Sequence, residues 1–310
     1  MISLLTLAVL ASVDANSAVA ENWPTKATKM KVQFGAGGTA DQLTRTLNAM
    51  AKNDILGQPL TIINVGGHCS IGTHQGKEAD PDGYNFVMGT IATMGSEASG
   101  QLDFSWRDFE PVAATGAICT APLVGKGSGI KTVDQLLTKP SRNRTTRIVG
   151  ANLGATSYMV GIMLERPKPD VKFRFVRKWG GASNFQALTG GQTAVSVLSS
   201  AEVVEFALLP DGAENPDSAI HPLATIGGEH NALLGDLPTL KELGYDVEFC
   251  ITNWWFAQKD TAQEAIHSMA NALEAAVQTP EVQNFYGERV FSKIYSRGTS
   301  SKRSRLTHGP

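Results

Sequence analysis

Lys29 to Asp41, Lys-Met-Lys-Val-Gln-Phe-Gly-Ala-Gly-Gly-Thr-Ala-Asp, decides the fold of this chain. Residues 29–34 alternate polar and apolar side chains, the period of a strand. Gly35, Ala36, Gly37 and Gly38 then turn, and from Thr39 to Asp54 the apolar residues Leu43, Leu47, Met50 and Ala51 recur at helical spacing. The unit is strand, glycine loop, helix. Glycines leave backbone N–H groups unobstructed, and the helix that follows adds the positive end of its dipole, so an anion is the expected guest. Taken alone, the segment is equally well read as a tight turn capped by Thr39 or Asp41. No GK[ST] follows and the spacing is not GxGxxG, so neither a P-loop nor a dinucleotide fingerprint is present.

Similar units extend in both directions. Leu60 to Asn64 follows the Gly57-Gln58-Pro59 turn as a second strand, and Tyr84 to Met88 follows Pro81-Asp82-Gly83 as a third. Ala121 to Val124 is extended, Gly125 to Gly129 is a turn and Thr132 to Leu137 starts a helix. Arg147 to Gly150 leads into Ala151-Asn152-Leu153-Gly154-Ala155-Thr156-Ser157 and a helix through Leu164. Lys172 to Val176 leads into Trp179-Gly180-Gly181-Ala182 and a helix to Leu188. Thr193 to Leu198 is a strand, Glu202 to Leu209 a helix and Pro222 to Ile226 a further strand. Pro238 to Leu243 reads as a helix, Val247 to Thr252 as a strand and Thr261 to Val277 as an amphipathic helix.

Strands alternating with helices imply parallel sheets, with ligands beyond the carboxyl ends of the strands. The expected fold class is α/β: two αβ lobes joined by a two-strand hinge, with a ligand cleft between them. Residues 21–122 with 228–290 form the first expected lobe and 123–227 the second; 291–310 are expected to be a disordered tail. The loops at Ala151 to Ser157 and Trp179 to Ser183 repeat the small-residue character of the first one. Facing it across a cleft, they would clamp a molecule with carboxylates at both ends. Thr90, Thr93 and Ser96 add candidate hydroxyl donors, although each alone is more often a helix cap.

The 310 residues can bury a large core, and a net charge of -2 gives no field for nucleic acid or an anionic membrane. Ile2 to Val19 carry an apolar run, and Ala18-Val19-Ala20 fits the small-x-small cleavage rule, without a Lys or Arg before the run. Residues 1–20 are therefore expected to be a cleaved secretory signal, and the protein periplasmic. Cys69, Cys119 and Cys250 form no CxxC pattern; being odd in number, they leave at least one unpaired, and they read as small buried hydrophobes.

Catalytic readings are poor. GxSxG and HExxH are absent, and the histidines at 68, 74, 221, 230, 267 and 308 show no ligand spacing. His68 and Cys69 are neighbours on what reads as a loop, an arrangement that seldom gives a working pair. Trp254-Trp255 reads as a stacking wall or, more commonly, as core. The expectation is a binding protein with no catalytic residue, no metal and no cofactor.

The run Val32 to Asp41, then Leu56-Gly57-Gln58-Pro59, Ile71-Gly72-Thr73, Pro81-Asp82-Gly83-Tyr84, Trp106 to Val112, Gly190-Gly191-Gln192, Asp236-Leu237-Pro238-Thr239 and Thr279-Pro280-Glu281-Val282 resembles the Bug-type receptors of tripartite tricarboxylate transporters. The resemblance covers about residues 22 to 290. It implies a type II periplasmic binding fold, export, capture of a small organic acid and delivery to membrane permease subunits by a monomer. Carried over by position, Phe34, Gly35, Ala36, Gly37, Gly38 and Asp41 hold one carboxylate. Thr90 and Thr93 line the first lobe, and Gly154, Ala155, Thr156, Ser157, Gly180, Gly181 and Ala182 the second. Converging N–H groups suffice for an anion without an arginine. The chain departs from the family pattern at Asn64 to Ser70, at Arg177-Lys178-Trp179 and at Ser199-Ser200, which stand where the family has Asn-x-Pro-Gly-Ala-Gly-Gly, Pro-Tyr-Lys and Asp-Asn. Alternatives kept open are a receptor that presents its ligand to a membrane sensor kinase, and a paralogue that no longer binds.

Overall fold

The structure, a computed structural model, describes residues 23–48, 55–138 and 148–286. The expected signal segment 1–20 and the segment 291–310 lie outside them. The described residues form nine strands, eight on one pairing path and β8 beside β4 off it: β1 (Thr28–Val32), β2 (Leu60–Asn64), β3 (Asn85–Thr90), β4 (Phe109–Gly125), β5 (Ile148–Gly150), β6 (Arg174–Val176), β7 (Val195–Ser199), β8 (Ile220–Pro222) and β9 (Cys250–Gln258). The helices are α1 (Thr39–Leu47), α2 (Cys69–Lys77), α3 (Ile91–Ala98), α4 (Val133–Thr138), α5 (Thr156–Glu165), α6 (Gly180–Thr189), α7 (Ser200–Ala207), α8 (Gln263–Val277) and α9 (Pro280–Tyr286).

The strand order β2-β1-β3-β9-β4-β7-β5-β6 is two sheets sharing one strand. β1 pairs parallel with β2 and β3, and β9 lies antiparallel between β3 and β4. β4 runs alongside β9 from Phe109 to Cys119, then changes partner at Thr120 and pairs with β7 through Val124. β5 is parallel to both β6 and β7. The result is a type II, two-lobed α/β fold in which the 17-residue β4 belongs to both lobes.

Each sheet is covered on both faces, because side chains alternate along a strand. In the first lobe Met30, Val32, Phe86, Met88 and Trp255 pack under α1 and α8, while Val87, Phe109 and Phe256 fill the opposite face. Within α8, Ile266, Met269, Leu273 and Val277 form the buried stripe of an amphipathic helix. In the second lobe Val124, Leu136, Val149, Val160 and Val195 make one layer, and Leu123, Leu198 and Val203 make the other.

Several elements differ from the sequence expectation. Pro238 to Leu243 is a single hydrogen-bonded turn, closed by Leu243 N–H to Thr239 O, because Gly244 adopts φ +84° and ends it. The strand expected at Pro222 to Ile226 is Ile220–Pro222, and that expected at Val247 to Thr252 is Cys250–Gln258, so Trp254 and Trp255 are strand residues. Trp255 is buried and donates Nε1–H to Thr115 Oγ1 at 2.7 Å, while Trp254 stacks on Phe256. Both pack in the first lobe and neither lines the cleft. Cys119 and Cys250, expected to be separate buried hydrophobes, are joined in a disulfide at the point where β4 leaves β9.

Candidate functional site

The carboxyl ends of six strands open on one cleft. The turns after β1 (Gly38, Thr39), β2 (His68, Cys69), β3 (Thr90), β5 (Ala155, Thr156), β6 (Trp179, Gly180) and β7 (Ser199) all line it. Each of these turns begins a helix, so the cleft receives the positive ends of α1, α2 and α3 from one lobe and of α5, α6 and α7 from the other. Its floor is apolar, from Ile118 of β4, Val197 of β7 and Ile251 of β9. The cleft's volume is about 130 Å³, room for on the order of ten waters or one small acid.

The lobes touch around this space. Thr39 N–H donates to Glu202 Oε1 at 3.1 Å, and the Thr39 and Ser199 hydroxyls hydrogen-bond directly. Gln42 Nε2 reaches Glu205, and His68 Nε2 donates to Leu153 O at 3.1 Å. The last bond fixes the His68 tautomer, because its Nδ1 accepts Ser70 N–H at 3.2 Å and so caps α2. His68 and Cys69 are thus a helix cap and first residue rather than a loop pair. The Cys69 thiol points inward to Ser96 Oγ at 3.0 Å, and burial pushes its pKa up despite that bond. A buried, protonated thiol is a poor nucleophile.

Glu202 is the most unusual group in the cleft, being 3% exposed. It closes a capping box on α7: its Oε2 accepts Ser199 N–H at 2.9 Å while Ser199 Oγ accepts Glu202 N–H at 3.2 Å. Burial pushes the Glu202 carboxyl above the usual range, and the N–H groups of Ser199 and Thr39 and their hydroxyls pull the other way.

Of the residues the sequence singled out, Phe34, Gly35, Ala36, Gly38, Thr90, Ala155, Thr156, Ser157, Gly180, Gly181 and Ala182 line the cleft. Gly37, Asp41, Thr93 and Gly154 do not, and three of them support it from behind. Gly37 N–H donates to Asp41 Oδ2 at 2.9 Å, and Asp41 pairs with Arg45 at 2.9 Å, which ties the glycine loop to α1. Burial of Asp41 works against its charge, but hydrogen bonds from Arg45, Gly37 and Asn64 outweigh it and hold the carboxyl below the usual range. Thr93 bonds to Gln33 at 3.0 Å inside the first lobe. Gly154 is where the two lobes meet backbone to backbone, at Gly95.

His68, Asn152, Lys178, Asn184, Ser199 and Glu202 line the cleft without having been singled out as ligand-binding. The Ser199-x-x-Glu202 pattern was available as a capping box, but that signal marks a helix start and says nothing of what the carboxylate faces. Among the described residues no group of His, Cys, Asp and Glu is placed to hold a metal ion, and no helix is long and apolar enough to cross a membrane.

Two αβ lobes whose sheets share the long strand β4, with their βα turns converging on one cleft, are the architecture of the periplasmic binding class of solute receptors. Residues 43–303 match the model of the tripartite tricarboxylate transporter family receptor, and the chain belongs to that family. It is 26% identical over 268 residues to an Agrobacterium vitis protein from the TAR-I ttuE-ttuC' intergenic region, covering 84% of this chain and 74% of that one. It is 24% identical over 272 residues to BugT of Bordetella pertussis, covering 85% and 80%. Among solved structures, the periplasmic binding protein BugD superposes with TM-score 0.75 at 23% identity over 85% of this chain and 86% of that one. MatC from Rhodopseudomonas palustris, with bound malate, gives 0.74 at 23% over 85% and 88%. An R. palustris protein with adipate gives 0.74 at 22% over 85% and 87%. At these identities the structural likeness establishes the fold.

Proposed function

We propose that the protein is an extracytoplasmic solute receptor that closes its lobes on a small organic carboxylate and delivers it to the permease subunits of a tripartite tricarboxylate-type transporter. The observation that carries this reading is the convergence of six helix N-termini on one cleft with an apolar floor and no arginine in its lining. Dipole ends and first-turn N–H groups favour an anion, and apolar walls favour its carbon chain over water. The second lobe is read as running from Thr120, where β4 changes partner, to Phe249 rather than as 123–227, since Leu234, Leu240 and Val247 pack among its buried side chains and the chain rejoins the first lobe's sheet at Cys250. The ligand contacts are assigned to Phe34, Gly35, Ala36 and Gly38 in one lobe with Thr90, and to Ala155 to Ser157 and Gly180 to Ala182 in the other. Family membership and the malate and adipate held by the MatC and R. palustris structures support a carboxylate as the solute. The reading is one of binding without catalysis, in keeping with the buried Cys69.

The test is a melting-shift screen of the purified chain over organic acids. An acid present at one hundred times its dissociation constant is expected to add about 2.7 kcal/mol to stability. No shift with any mono-, di- or tricarboxylate would contradict the proposal.

A further inference from the structure

We infer that Glu202 determines the charge of the ligand: its carboxylate stands in the cleft where a second ligand carboxylate would have to be received, so acids with one carboxylate are preferred over diacids. The inference rests on the receptor reading above and narrows its substrate class. Glu202 takes N–H groups from both lobes, Oε1 from Thr39 at 3.1 Å and Oε2 from Ser199 at 2.9 Å. Thr39 is the first residue of α1, so the amide that the first glycine loop would offer to an anion is already held by the chain's own carboxylate.

The same carboxylate also packs against the facing loop. A Cβ on Gly181 would fall 1.8 Å from Glu202 Oε1 and 2.4 Å from Oε2, so the carboxylate lies directly on the Gly180-Gly181 turn. A Cβ on Gly38 would fall 3.6 Å from the same Oε1. One side chain therefore lies against both of the loops that were expected to hold opposite ends of a diacid. Each oxygen accepts an N–H, and these bonds favour the ionised carboxylate against the effect of its burial.

Little offsets this charge. Among the described residues lining the cleft, Lys178 is the only lysine or arginine, and its Nζ donates to Gln192 Oε1 at 2.6 Å. The first-turn amides of Thr156 and Ser157 on α5 and the backbone of Gly35 and Ala36 remain for a ligand, enough for one carboxylate. A second carboxylate brought within about 5 Å of Glu202, at an effective dielectric of about 20, meets a repulsion that exceeds tenfold in affinity.

The test uses matched pairs of acids that differ by one carboxylate: butyrate and succinate, hexanoate and adipate, benzoate and terephthalate. Binding to the wild-type chain and to Glu202→Gln is measured by titration calorimetry, with circular dichroism to confirm folding. Glutamine removes the charge and, with its oxygen on Ser199 N–H, keeps the capping-box bond while giving up the bond from Thr39 N–H. The wild type is expected to bind at least one monoacid about tenfold or more tightly than its diacid partner, and Glu202→Gln to narrow that ratio to about threefold or less. A wild type that binds a diacid as tightly as its monoacid partner overturns the inference, with or without a folded variant, and leaves the receptor reading standing. A folded Glu202→Gln that keeps the wild-type preference overturns the role of Glu202. Absence of binding by every acid in both proteins overturns the receptor reading, and this inference with it.

Discussion

Gly95 of α3 and Gly154 before α5 meet backbone to backbone across the cleft: a Cβ on Gly95 would sit 2.1 Å from the Gly154 carbonyl oxygen. A Cβ on Gly154 would sit 2.5 Å from Gly95 O. Neither approach leaves room for a methyl group against rigid backbone, so both lobes need glycine here in order to close.

Gly95→Ala separates closure from folding. Alanine favours the helix by about 1 kcal/mol over glycine, so the lobe itself is not weakened. The variant is expected to keep its circular dichroism spectrum, to lose at least about tenfold in affinity for whichever acid the wild type binds, and to stay more extended in solution scattering when that acid is added. Unchanged affinity would show that closure does not need this contact.

Cys119 and Cys250 lie opposite each other at the residue where β4 changes sheets, and the disulfide closes a loop with a sequence separation of 131. In the chain-entropy treatment such a loop is worth up to about 5 kcal/mol, with measured values commonly nearer 2–4. Reduction, or a Cys119→Ser, Cys250→Ser double variant, is expected to lower the melting temperature by several degrees. Thiol titration of the unreduced, unfolded protein is expected to find one free thiol, Cys69.

Asp41 and Glu202 respond to pH with opposite signs. The carboxyl of Asp41 is held below its ordinary range in the folded state, so its stabilisation is present above that range and is lost as pH falls through the lowered value. Asp41→Asn is expected to cost about 1.5–3 kcal/mol at neutral pH, and the difference from wild type is expected to shrink in acid. Glu202 is pushed up, so only between the ordinary carboxylate range and the raised value does the folded chain keep a proton that the unfolded chain releases. Its contribution therefore falls as pH rises from the ordinary carboxylate range through the raised value. Denaturant melts of wild type, Asp41→Asn and Glu202→Gln across that range check both signs.

Cys69 is expected to resist alkylation in the native protein at neutral pH and to react once the chain is unfolded, as burial and its raised pKa require. Cys69→Ala is expected to leave acid binding within about threefold of wild type and to abolish no turnover. Rapid native alkylation would place the thiol at the surface of the cleft instead.

The first glycine loop and the turns at Ala151 to Ser157 and Trp179 to Ser183 are legible because each follows an apolar strand and precedes a helical period. Helix α2 is not: Gly66 to Ser70 reads as a loop, Ile71 to Lys77 carries no apolar period, and its glycines are there for packing. A Cβ on Gly76 would meet Val87 Cγ2 at 2.3 Å, and one on Gly72 would meet the Gln33 Cα at 2.8 Å. The length of β4 is hidden in a similar way, since Pro111, Gly116 and Pro122 interrupt its pattern and the register with β9 shifts twice. Glu202 and the pairing of Cys119 with Cys250 depend on contacts between distant parts of the chain, which leave no local period to read.

A crystal structure with the acid that gives the largest melting shift tests most directly where the solute sits. Its carboxylate is expected between the Gly35-Ala36 backbone and the first turn of α5, over Ile118 and Ile251, with the lobes in contact at Gly95 and Gly154. Electron density for the acid in the separate cavity beside His221 and Leu237, or lobes that do not meet when it is bound, would contradict the cleft as the receptor site.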